Sequence, residues 1–513
     1  MKKFKQLQPQ DTLFIGGETD AIYQHTGGLV ILDRSDPADF GFDDFREFIV
    51  ERVGKIPNFH WKLHEVPLGL DLPYWVEDEN FDYDRHIRRI AVPSPGDKKA
   101  LGELVSFLYC RHLNRKHPLW ETWFIEGLEN NQCAVFQKLH HCVMDGEGAK
   151  NLSEILVDFE PNGKPREIDS AISEARAGEV PKLWQESIDG LMRLYGLPIK
   201  ASREAVNAIW PAIRKKMLHA LKKEKKSAVK PEVPIALFNA AVSNQRGFVF
   251  GSLPLADIKR IKDHFGVTVN DVVLGIVAGS LRNYLLRLDQ LPAASLRTSI
   301  AVSLRNQDDD QFSNRITSVG VTMATDKADP VDRLKTIATE TAAAKTRARS
   351  GKNKGLLELI EILPPFLVTP VVSMAPPDQA VKISGFNLLV SSVRGSERPM
   401  YMRSARQANM FPMSILGPGL GINITCISYC DHVDFGITVE PSLVPNAWSL
   451  IDGLAESLAE YKKLAVIEAK GKSTSVKSRS NSTPRVKPVA KRKEKPTTGS
   501  SSKKTTRKKP ASS

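Results

Sequence analysis

The sequence predicts an α/β protein with two folded units, a helical connector between them and a basic tail. Its 513 residues exceed what one ordinary hydrophobic core organises, so two folded units are expected. Strand-like and helix-like patterns alternate in residues 1–160 and again in 236–467, whereas 161–235 shows helical spacing alone. In residues 468–513, Ser, Thr, Lys, Arg and Pro replace almost every apolar side chain, which predicts disorder.

The first unit is predicted from the spacing of its apolar residues. Residues 42–53 place Phe45, Phe48 and Ile49 at helical intervals, and 101–113 form a second helix. Strands are predicted at residues 29–32, 122–125 and 133–139. Such alternation of helices and strands is typical of a layered α/β unit.

The connector, residues 161–235, is amphipathic and becomes basic towards its end. Apolar residues line one face of each of two predicted helices, and seven Lys/Arg residues lie between Arg214 and Lys226. Two interpretations stay open. The connector packs on the folded units, or it lies on an anionic membrane surface with its apolar stripe buried among the lipids.

The second unit repeats the α/β alternation. Helices are predicted at residues 255–264 and 267–285, and Asn270 is taken as the N-cap of the second. Strands are predicted at 296–302, 319–323, 386–391, 421–428 and 433–439. A helix over 444–464 is expected to close the fold.

The net charge of +13 belongs to the tail. Of the 72 Lys/Arg residues, 15 lie from Lys470 onward against one acid, Glu494, which leaves 57 basic and 58 acidic residues in the body. No specific nucleic-acid site is predicted, because the tail lacks aromatic residues for base stacking and its charge would bind phosphates non-specifically. The other interpretations are a solubilising tail and attraction to an anionic membrane or droplet surface.

Neither a secretion signal nor a membrane-spanning segment is predicted. No apolar stretch follows the basic N-terminus, and the most apolar window, residues 357–375, contains three prolines and two glutamates. The five cysteines form no C-x-x-C pair, which favours thiols in a reducing compartment. A cytoplasmic protein, soluble or peripheral on a membrane, is the expectation.

The adjacent pair His140-His141 ends the last predicted strand of the first unit, before an Asp145-Gly146 turn signal. Neighbouring strand residues point to opposite faces, so only one histidine faces a given cleft. An imidazole suits a general base; the alternatives are two packing groups, or zinc held by His141 and Asp145. Zinc needs a third ligand, and no His-rich partner motif accompanies the pair, so no metal is predicted. A nucleophilic Cys142 is disfavoured because it follows the base on the opposite face.

The full string His140-His141-Cys142-Val143-Met144-Asp145-Gly146 matches H-H-x-x-x-D-G, the active-site motif of CoA-dependent acyltransferases and peptide-synthetase condensation domains. Other short motifs resemble, in order, those of bacterial wax ester synthase/diacylglycerol acyltransferases over residues 5–465. They are Leu7-Gln8-Pro9-Gln10-Asp11, Pro118-Leu119-Trp120, Asn270-Asp271-Val272-Val273, Ser303-Leu304-Arg305 and Asp434-Phe435-Gly436. Two positions depart from the family pattern: Gln24-His25 replaces a more usual Met-His, and residues 391–396 replace an Asn-Val-Pro-Gly-Pro turn.

The resemblance implies two chloramphenicol-acetyltransferase-like halves, a pseudo-dimer with the active site in a tunnel between them. It implies that His141 is the general base and that His140 supports it. Asp145 would hold the loop, with orientation of His141 as in a catalytic triad as the alternative, and Gly146 would permit the turn. Substrate-binding positions are implied at Pro118, Leu119, Trp120, Asn270 and Asp271, with core packing and an ordinary helix start as the alternatives.

The implied activity is transfer of a long-chain acyl group from acyl-CoA to a fatty alcohol, diacylglycerol or both. Acyl-CoA is then a substrate, and no cofactor is implied. A peripheral association with the membrane or with lipid inclusions is expected. The alternative is a stand-alone condensation-type acyltransferase with an amine or another alcohol as acceptor.

Overall fold

The computed structural model describes residues 5–7, 9–36, 39–66, 72–143, 155–164, 177–179, 233–303, 316–349 and 376–477. Most of the predicted connector lies outside this part of the chain, as do the apolar window 357–375 and the predicted tail beyond residue 477. Within the described residues, no single helix is both long and apolar enough to cross a membrane. One pair, Leu255–Phe265 with Val269–Arg287, meets that test only jointly and is bent by 105°.

Among the described residues, the N-terminal part has six strands, four α-helices and one short 3-10 helix, Pro57–His60. The helices are α1 (Pro9–Gly17), α2 (Phe42–Val53), α3 (Tyr83–His86) and α4 (Lys98–Tyr109). The strands are β1 (His25–Asp33), β2 (Trp61–His64), β3 (Tyr74–Glu77), β4 (Ile87–Ala91), β5 (Trp120–Glu126) and β6 (Cys133–His140). The helix predicted over 42–53 is confirmed.

The C-terminal part contributes eight strands and five helices to the described structure. The strands are β7 (Gly247–Pro254), β8 (Arg297–Ser303), β9 (Ile316–Thr322), β10 (Leu388–Arg394), β11 (Tyr401–Met402), β12 (Ala405–Met413), β13 (Ile422–Tyr429) and β14 (His432–Val439). The helices are α5 (Leu255–Phe265), α6 (Val269–Arg287), α7 (Pro330–Arg349), α8 (Pro377–Ser384) and α9 (Trp448–Lys477).

Two six-stranded mixed sheets organise these elements, and β2 pairs with β3 separately. The first sheet has the order β11-β12-β1-β6-β5-β4, and the second has the order β7-β14-β13-β10-β8-β9. Most neighbours are antiparallel; the parallel pairs are β4 with β5, β10 with β13 and β10 with β8. The α/β class predicted from the sequence is therefore what the chain forms.

Strand β12 crosses from the C-terminal part into the first sheet, where it pairs with β1 from Gly27↔Met413 to Asp33↔Arg406. The predicted second half, 236–467, thus supplies two of its strands to the sheet of the first half. A close approach accompanies the crossing, since a Cβ added to Gly436 on β14 would meet the Pro412 carbonyl at 1.9 Å. Only glycine fits there.

Side chains of the first sheet alternate between two faces. On the α2 face, Val30 and Leu32 pack with Phe45 and Phe48 of α2. On the α4 face, residues such as Leu29 pack with α4 and with two phenylalanines of β7, Phe248 and Phe250. The α4 face therefore carries the contact with the second sheet, whereas the α2 face is covered by elements of the N-terminal part.

The N-cap predicted at Asn270 is wrong: helix α6 begins at Val269, and Thr268 caps it. The Thr268 hydroxyl accepts a hydrogen bond from the Asp271 amide, and the Asp271 carboxylate accepts one from the Thr268 amide. This reciprocal capping box satisfies two donors that the helix leaves free, which Asn270 could not do from within the first turn.

Two other helix boundaries also shift from their predicted places. The helix predicted over 101–113 spans Lys98–Tyr109 because Asp97 caps it by accepting from the Ala100 amide. The closing helix begins at Trp448 instead of residue 444, since the preceding residues form turns. Strands β7 and β12 and helix α7 were not predicted.

A buried carboxylate holds the crossing strand in place. Asp434 on β14 is fully buried and accepts from the Met410 amide at 2.7 Å, the Asn409 amide group at 2.9 Å and the Ser252 hydroxyl. Its remaining partner is His432, whose Nε2 lies 3.3 Å away. The hydrogen bond that His432 donates to Asp434 raises the pKa of His432 most, burial opposes it, and Asp431 adds to it, which leaves that pKa raised to about 9.

We predict that His432→Gln removes a pH-dependent part of the stability. A folded-state pKa of about 9 against an ordinary value of 6.5 stabilises the fold fully below pH 6.5, and this contribution is lost as pH rises through about 9. Denaturant unfolding of both proteins from pH 6 to 10 measures it. The wild-type advantage should shrink with rising pH, and less so in an Asp434→Asn background. A constant difference between the two proteins would contradict the ion pair.

Candidate active site

The end of β6 places the two histidines on opposite faces of the first sheet. His25 on β1 pairs with His140, and the His141 amide donates to the Gln24 carbonyl at 2.9 Å. The antiparallel pairing therefore continues one residue past the strand, and the side-chain alternation continues with it. Alternation along β6 therefore predicts His140 on the α4 face with Phe136 and His141 on the α2 face with Val135.

His140 is buried and contacts the turn that follows β6. Its side chain is 1% exposed, and Nδ1 accepts from the Cys142 amide at 3.2 Å. The proton of the neutral ring is then on Nε2, which lies 3.8 Å from the Glu18 carboxylate. Burial lowers the pKa of His140 to about 4 despite Glu18, so the imidazole is neutral at pH 7.

Glu18 connects the surroundings of His140 to the loop that follows α4. It accepts from Arg115 at 2.8 Å and lies 3.1 Å from His112. Burial acts to raise the pKa of Glu18, but the hydrogen bond from Arg115 and the nearby His140 outweigh it and leave that pKa lowered. The sequence analysis missed this cluster because its members lie almost a hundred residues apart and share no spacing.

His141 has the more open environment of the pair. Its ring stacks on Phe14 of α1, with centroids 4.4 Å apart and planes at 10°. Burial lowers its pKa, and the backbone of His141 itself opposes the shift. A neutral imidazole keeps one of its two ring nitrogens unprotonated. The ring is thus arranged as a proton acceptor.

Cys142 is buried with the side chains of Leu7, Trp61 and Leu119 and is 4% exposed. Burial raises the pKa of its thiol. A thiol kept protonated in an apolar cluster is a poor nucleophile, which agrees with the prediction that Cys142 is not the attacking group.

The predicted cleft residues Leu119 and Trp120 lie in different environments. Leu119 is 1% exposed in the core, and its carbonyl accepts from the His140 amide at 3.0 Å. Trp120 donates from Nε1 to the Phe59 carbonyl at 2.8 Å and borders a cavity of about 170 Å³ on the α2 face. Pro118 precedes them in the loop, where its carbonyl accepts from the Trp120 amide.

The carboxylate of Asp271 is engaged within the fold. Asp271 is 4% exposed, and one carboxylate oxygen accepts from Thr268 while the other accepts from the Thr341 hydroxyl at 2.6 Å. Both oxygens are thus used within the fold, where they join α6 to α7. This is a structural role for Asp271, and substrate binding at Asn270 and Asp271 stays a prediction.

The predicted loop residues Asp145 and Gly146 lie outside the described residues. In the part of the chain that is described, no cluster of three His, Cys, Asp or Glu side chains is arranged to hold a metal ion. What the described site can do chemically is accept a proton at His141, next to an apolar cavity.

The chain matches two family models. Residues 7–273 match the wax ester synthase/diacylglycerol acyltransferase catalytic domain, and residues 312–462 match the C-terminal domain of the same family. The first match contains the histidine pair and every residue that lines the cavity except Met410. The second contains β12 and Asp434.

Named relatives and solved structures agree with these matches. The O-acyltransferase WSD of Acinetobacter baylyi is 30% identical over 459 residues, which cover 89% of this chain and 96% of the relative. A Mycobacterium tuberculosis protein provisionally named a diacylglycerol O-acyltransferase is also 30% identical, over 89% of this chain and 90% of its own length.

The wax ester synthase/diacylglycerol acyltransferase of Marinobacter aquaeolei VT8 superposes with a TM-score of 0.67 at 25% identity, covering 90% of this chain and 99% of that one. The first condensation domain of the CDA synthetase shares the fold, with a TM-score of 0.51 at 13% identity over 90% of this chain and 96% of that one. The predicted family and fold class are confirmed.

We predict that titration of selectively labelled histidines by NMR finds His140 at a pKa of about 4 and His141 below 6.5. Glu18→Gln removes a carboxylate that favours the protonated ring, so it should lower the pKa of His140 further. Glu77→Gln is the matched control, because Glu77 acts on His60 instead. An unchanged His140 pKa in Glu18→Gln would contradict the proposed electrostatic contact.

Proposed function

Because the chain belongs to the wax ester synthase/diacylglycerol acyltransferase family, we propose that it transfers a long-chain acyl group from acyl-CoA to a fatty alcohol, to diacylglycerol, or to both. One observation carries the proposal within this structure. An imidazole that burial keeps neutral directly follows the end of β6, in the same sheet whose strands line an apolar cavity. A base beside an apolar site fits a reaction that joins a hydroxyl to a lipid chain.

His141 acts as the general base in this proposal. The unprotonated ring nitrogen takes the hydroxyl proton of the acceptor as its oxygen attacks the thioester carbonyl of acyl-CoA. The tetrahedral oxyanion then collapses, the carbon–sulfur bond breaks, and CoA leaves with the proton that His141 returns. The products are an ester and CoA thiol. Acyl-CoA is consumed as a substrate, and no step calls for a cofactor.

Burial supports this role in two ways. The lowered pKa of His141 keeps the ring unprotonated at neutral pH, so the base is ready before the acceptor arrives. An environment that excludes water also strengthens the hydrogen bond between that ring and the acceptor hydroxyl. His140 supports the turn by accepting from the Cys142 amide. We propose that Asp145 holds the loop that follows the histidine pair.

The test is lipid analysis after purified protein is supplied with palmitoyl-CoA and one acceptor. The acceptors are hexadecanol, diacylglycerol and hexadecylamine. We expect wax ester, triacylglycerol or both, and a loss of roughly 10²–10⁴-fold in rate for His141→Ala, the range typical of a removed general base.

Cys142→Ala is the matched control, since it changes the next residue in the chain and should keep most of the activity. A loss in Cys142→Ala as deep as in His141→Ala would overturn direct transfer in favour of an acyl-cysteine intermediate. Amide as the main product would instead support the condensation-type alternative.

We further propose that the protein works in the cytoplasm at an anionic membrane or lipid-inclusion surface. The support is charge: residues from Lys470 onward carry 15 Lys/Arg against one acid, while the rest of the chain is nearly neutral. Such a segment is attracted to anionic headgroups within roughly a Debye length, about 10 Å at 0.1 M salt.

Flotation with vesicles of neutral or anionic lipid measures this attraction. The full chain should bind anionic vesicles at low salt and lose binding as salt rises, whereas a chain ending at Ala469 should bind much less. Equal partitioning of the two proteins at low salt would rule out this role of the basic segment.

A further inference from the structure

Helix α1 presents one aromatic side chain to the predicted base. The ring of Phe14 lies against the imidazole of His141, with 4.4 Å between the ring centroids and 10° between the ring planes. The backbone of His141 is fixed separately, because its amide donates to the Gln24 carbonyl at 2.9 Å. A backbone hydrogen bond leaves the side-chain torsions free, and χ2 of histidine has only a broad preference. The flat stack therefore defines the plane in which the imidazole lies.

The helix that carries Phe14 is anchored immediately after this residue. Ile15 is 7% exposed and belongs to the apolar cluster that contains Cys142. Its carbonyl accepts a hydrogen bond from Arg115 at 2.7 Å, and the same guanidinium donates to Glu18, just beyond the helix, at 2.8 Å. A side chain on an anchored helix holds its neighbour more precisely than one on a loop. The Phe14 ring is thus a firm support for His141.

Charged side chains act unevenly on the two histidines. Glu18 and Arg115 both act on the pKa of His140. No charged side chain among the described residues does the same for His141, whose pKa is lowered by burial. A protonated His141 would therefore be a buried cation that needs another kind of support. The ring of Phe14 is in contact with it.

The face of an aromatic ring is its negative side, because the quadrupole of the π system places the positive charge at the ring edge. A cation over that face is attracted, and the attraction grows when water is excluded. A neutral imidazole in the same place gains less from the contact. The stack on Phe14 is therefore stronger after His141 has accepted a proton than before. A contact that strengthens during the reaction is the kind that accelerates it.

We propose that Phe14 is a positioning residue for the base: its ring fixes the plane of the His141 imidazole and stabilises the imidazolium that forms as the acceptor loses its proton. The proposal rests on the proposed acyl transfer at His141. No covalent bond is made to Phe14. The proton passes from the acceptor hydroxyl to His141 and then to the sulfur of CoA, and the cation faces the Phe14 ring only between these two transfers.

Phe14→Leu is the first variant, because it removes the π system and keeps an apolar side chain. We expect kcat to fall by about 2–30-fold, the range that corresponds to the loss of one cation–π contact. KM should stay unchanged, because the substrates keep their own contacts. Steady-state rates with palmitoyl-CoA and the better of the two acceptors, hexadecanol or diacylglycerol, measure both constants.

Titration separates this effect from a loss of packing. In Phe14→Leu, NMR of selectively labelled histidines should find the pKa of His141 below its wild-type value, because the cation has lost its aromatic partner. The acid limb of the profile of kcat/KM against pH should move to lower pH as well. A role in packing alone predicts the opposite shift of this pKa, since a gap beside His141 admits water and relieves burial.

Aromatic replacements test the ring itself. Phe14→Tyr keeps the π face and should retain most of kcat and the wild-type pKa of His141. Pentafluorophenylalanine at position 14 keeps the shape of the ring but reverses its quadrupole, so it should lower kcat at least as far as Phe14→Leu. This replacement keeps the test valid if Phe14→Leu folds poorly.

Phe265→Leu is the matched control. Phe265 is half-buried at the end of α5 and lies beside the ring of His264, but edge-on at 88°. The variant therefore removes a phenylalanine of similar burial that also contacts a histidine, in the other half of the chain. It should leave kcat and the pKa of His141 unchanged.

Four results would each overturn the proposal while leaving the proposed function intact. They are a wild-type kcat in Phe14→Leu or with pentafluorophenylalanine, a pKa of His141 that rises towards 6.5 in Phe14→Leu, an equal loss of kcat in Phe265→Leu, and a change confined to KM, which would place Phe14 against a substrate. Failure of the proposed function looks different. Wild type would then form no ester, although the pKa of His141 would still fall in Phe14→Leu.

Discussion

The backbone hydrogen bond from His141 to Gln24 is the constraint on which the site depends. It extends the pairing of β1 with β6 by one residue, and the alternation of a strand then forces the adjacent imidazoles onto opposite faces. The two faces differ in chemistry. The α4 face near His140 holds buried Lys138 and the nearby Glu18, whereas the α2 face near His141 leads to an apolar cavity. Two identical side chains thereby acquire different surroundings.

The crossing of β12 links this site to the rest of the molecule. Met410 closes the cavity with its side chain, and its backbone amide donates to the buried Asp434 of the second sheet. A buried carboxylate is stable only when its oxygens accept hydrogen bonds or pair with a cation. Asp434 has four such partners. The carboxylate of the Asp-Phe-Gly motif therefore fixes a wall of the first half's cavity from the other sheet, although it lies far from the histidines in the sequence.

The spacing of apolar residues in the sequence predicted the helices and strands that are buried on one side or completely. It failed for elements whose structure depends on contacts with distant parts of the chain. The apolar run before His140 and the helical spacing of Phe45 and Phe48 carry their structure in the sequence itself. Strand β12 does not, because Arg406, Gln407 and Asn409 interrupt its apolar residues, and their places are fixed by β1 and Asp434. The cap of α6 was misplaced by two residues since both Thr268 and Asn270 are good N-cap types, and only the Asp271 contact distinguishes them.

The site residues were predicted by motif rather than by geometry, which explains what was missed. Helix α1 ends beside the strand end, and from there one element reaches both faces of the sheet. Phe14 stacks on His141, Gly17 lies against Gln24, and Glu18 approaches His140. A short N-terminal segment therefore positions both imidazoles. Arg115 holds Glu18 in place by donating a hydrogen bond to it. The sequence analysis used the stretch Leu7-Gln8-Pro9-Gln10-Asp11 only as a point of resemblance. Its last three residues begin helix α1, which contacts the histidine pair.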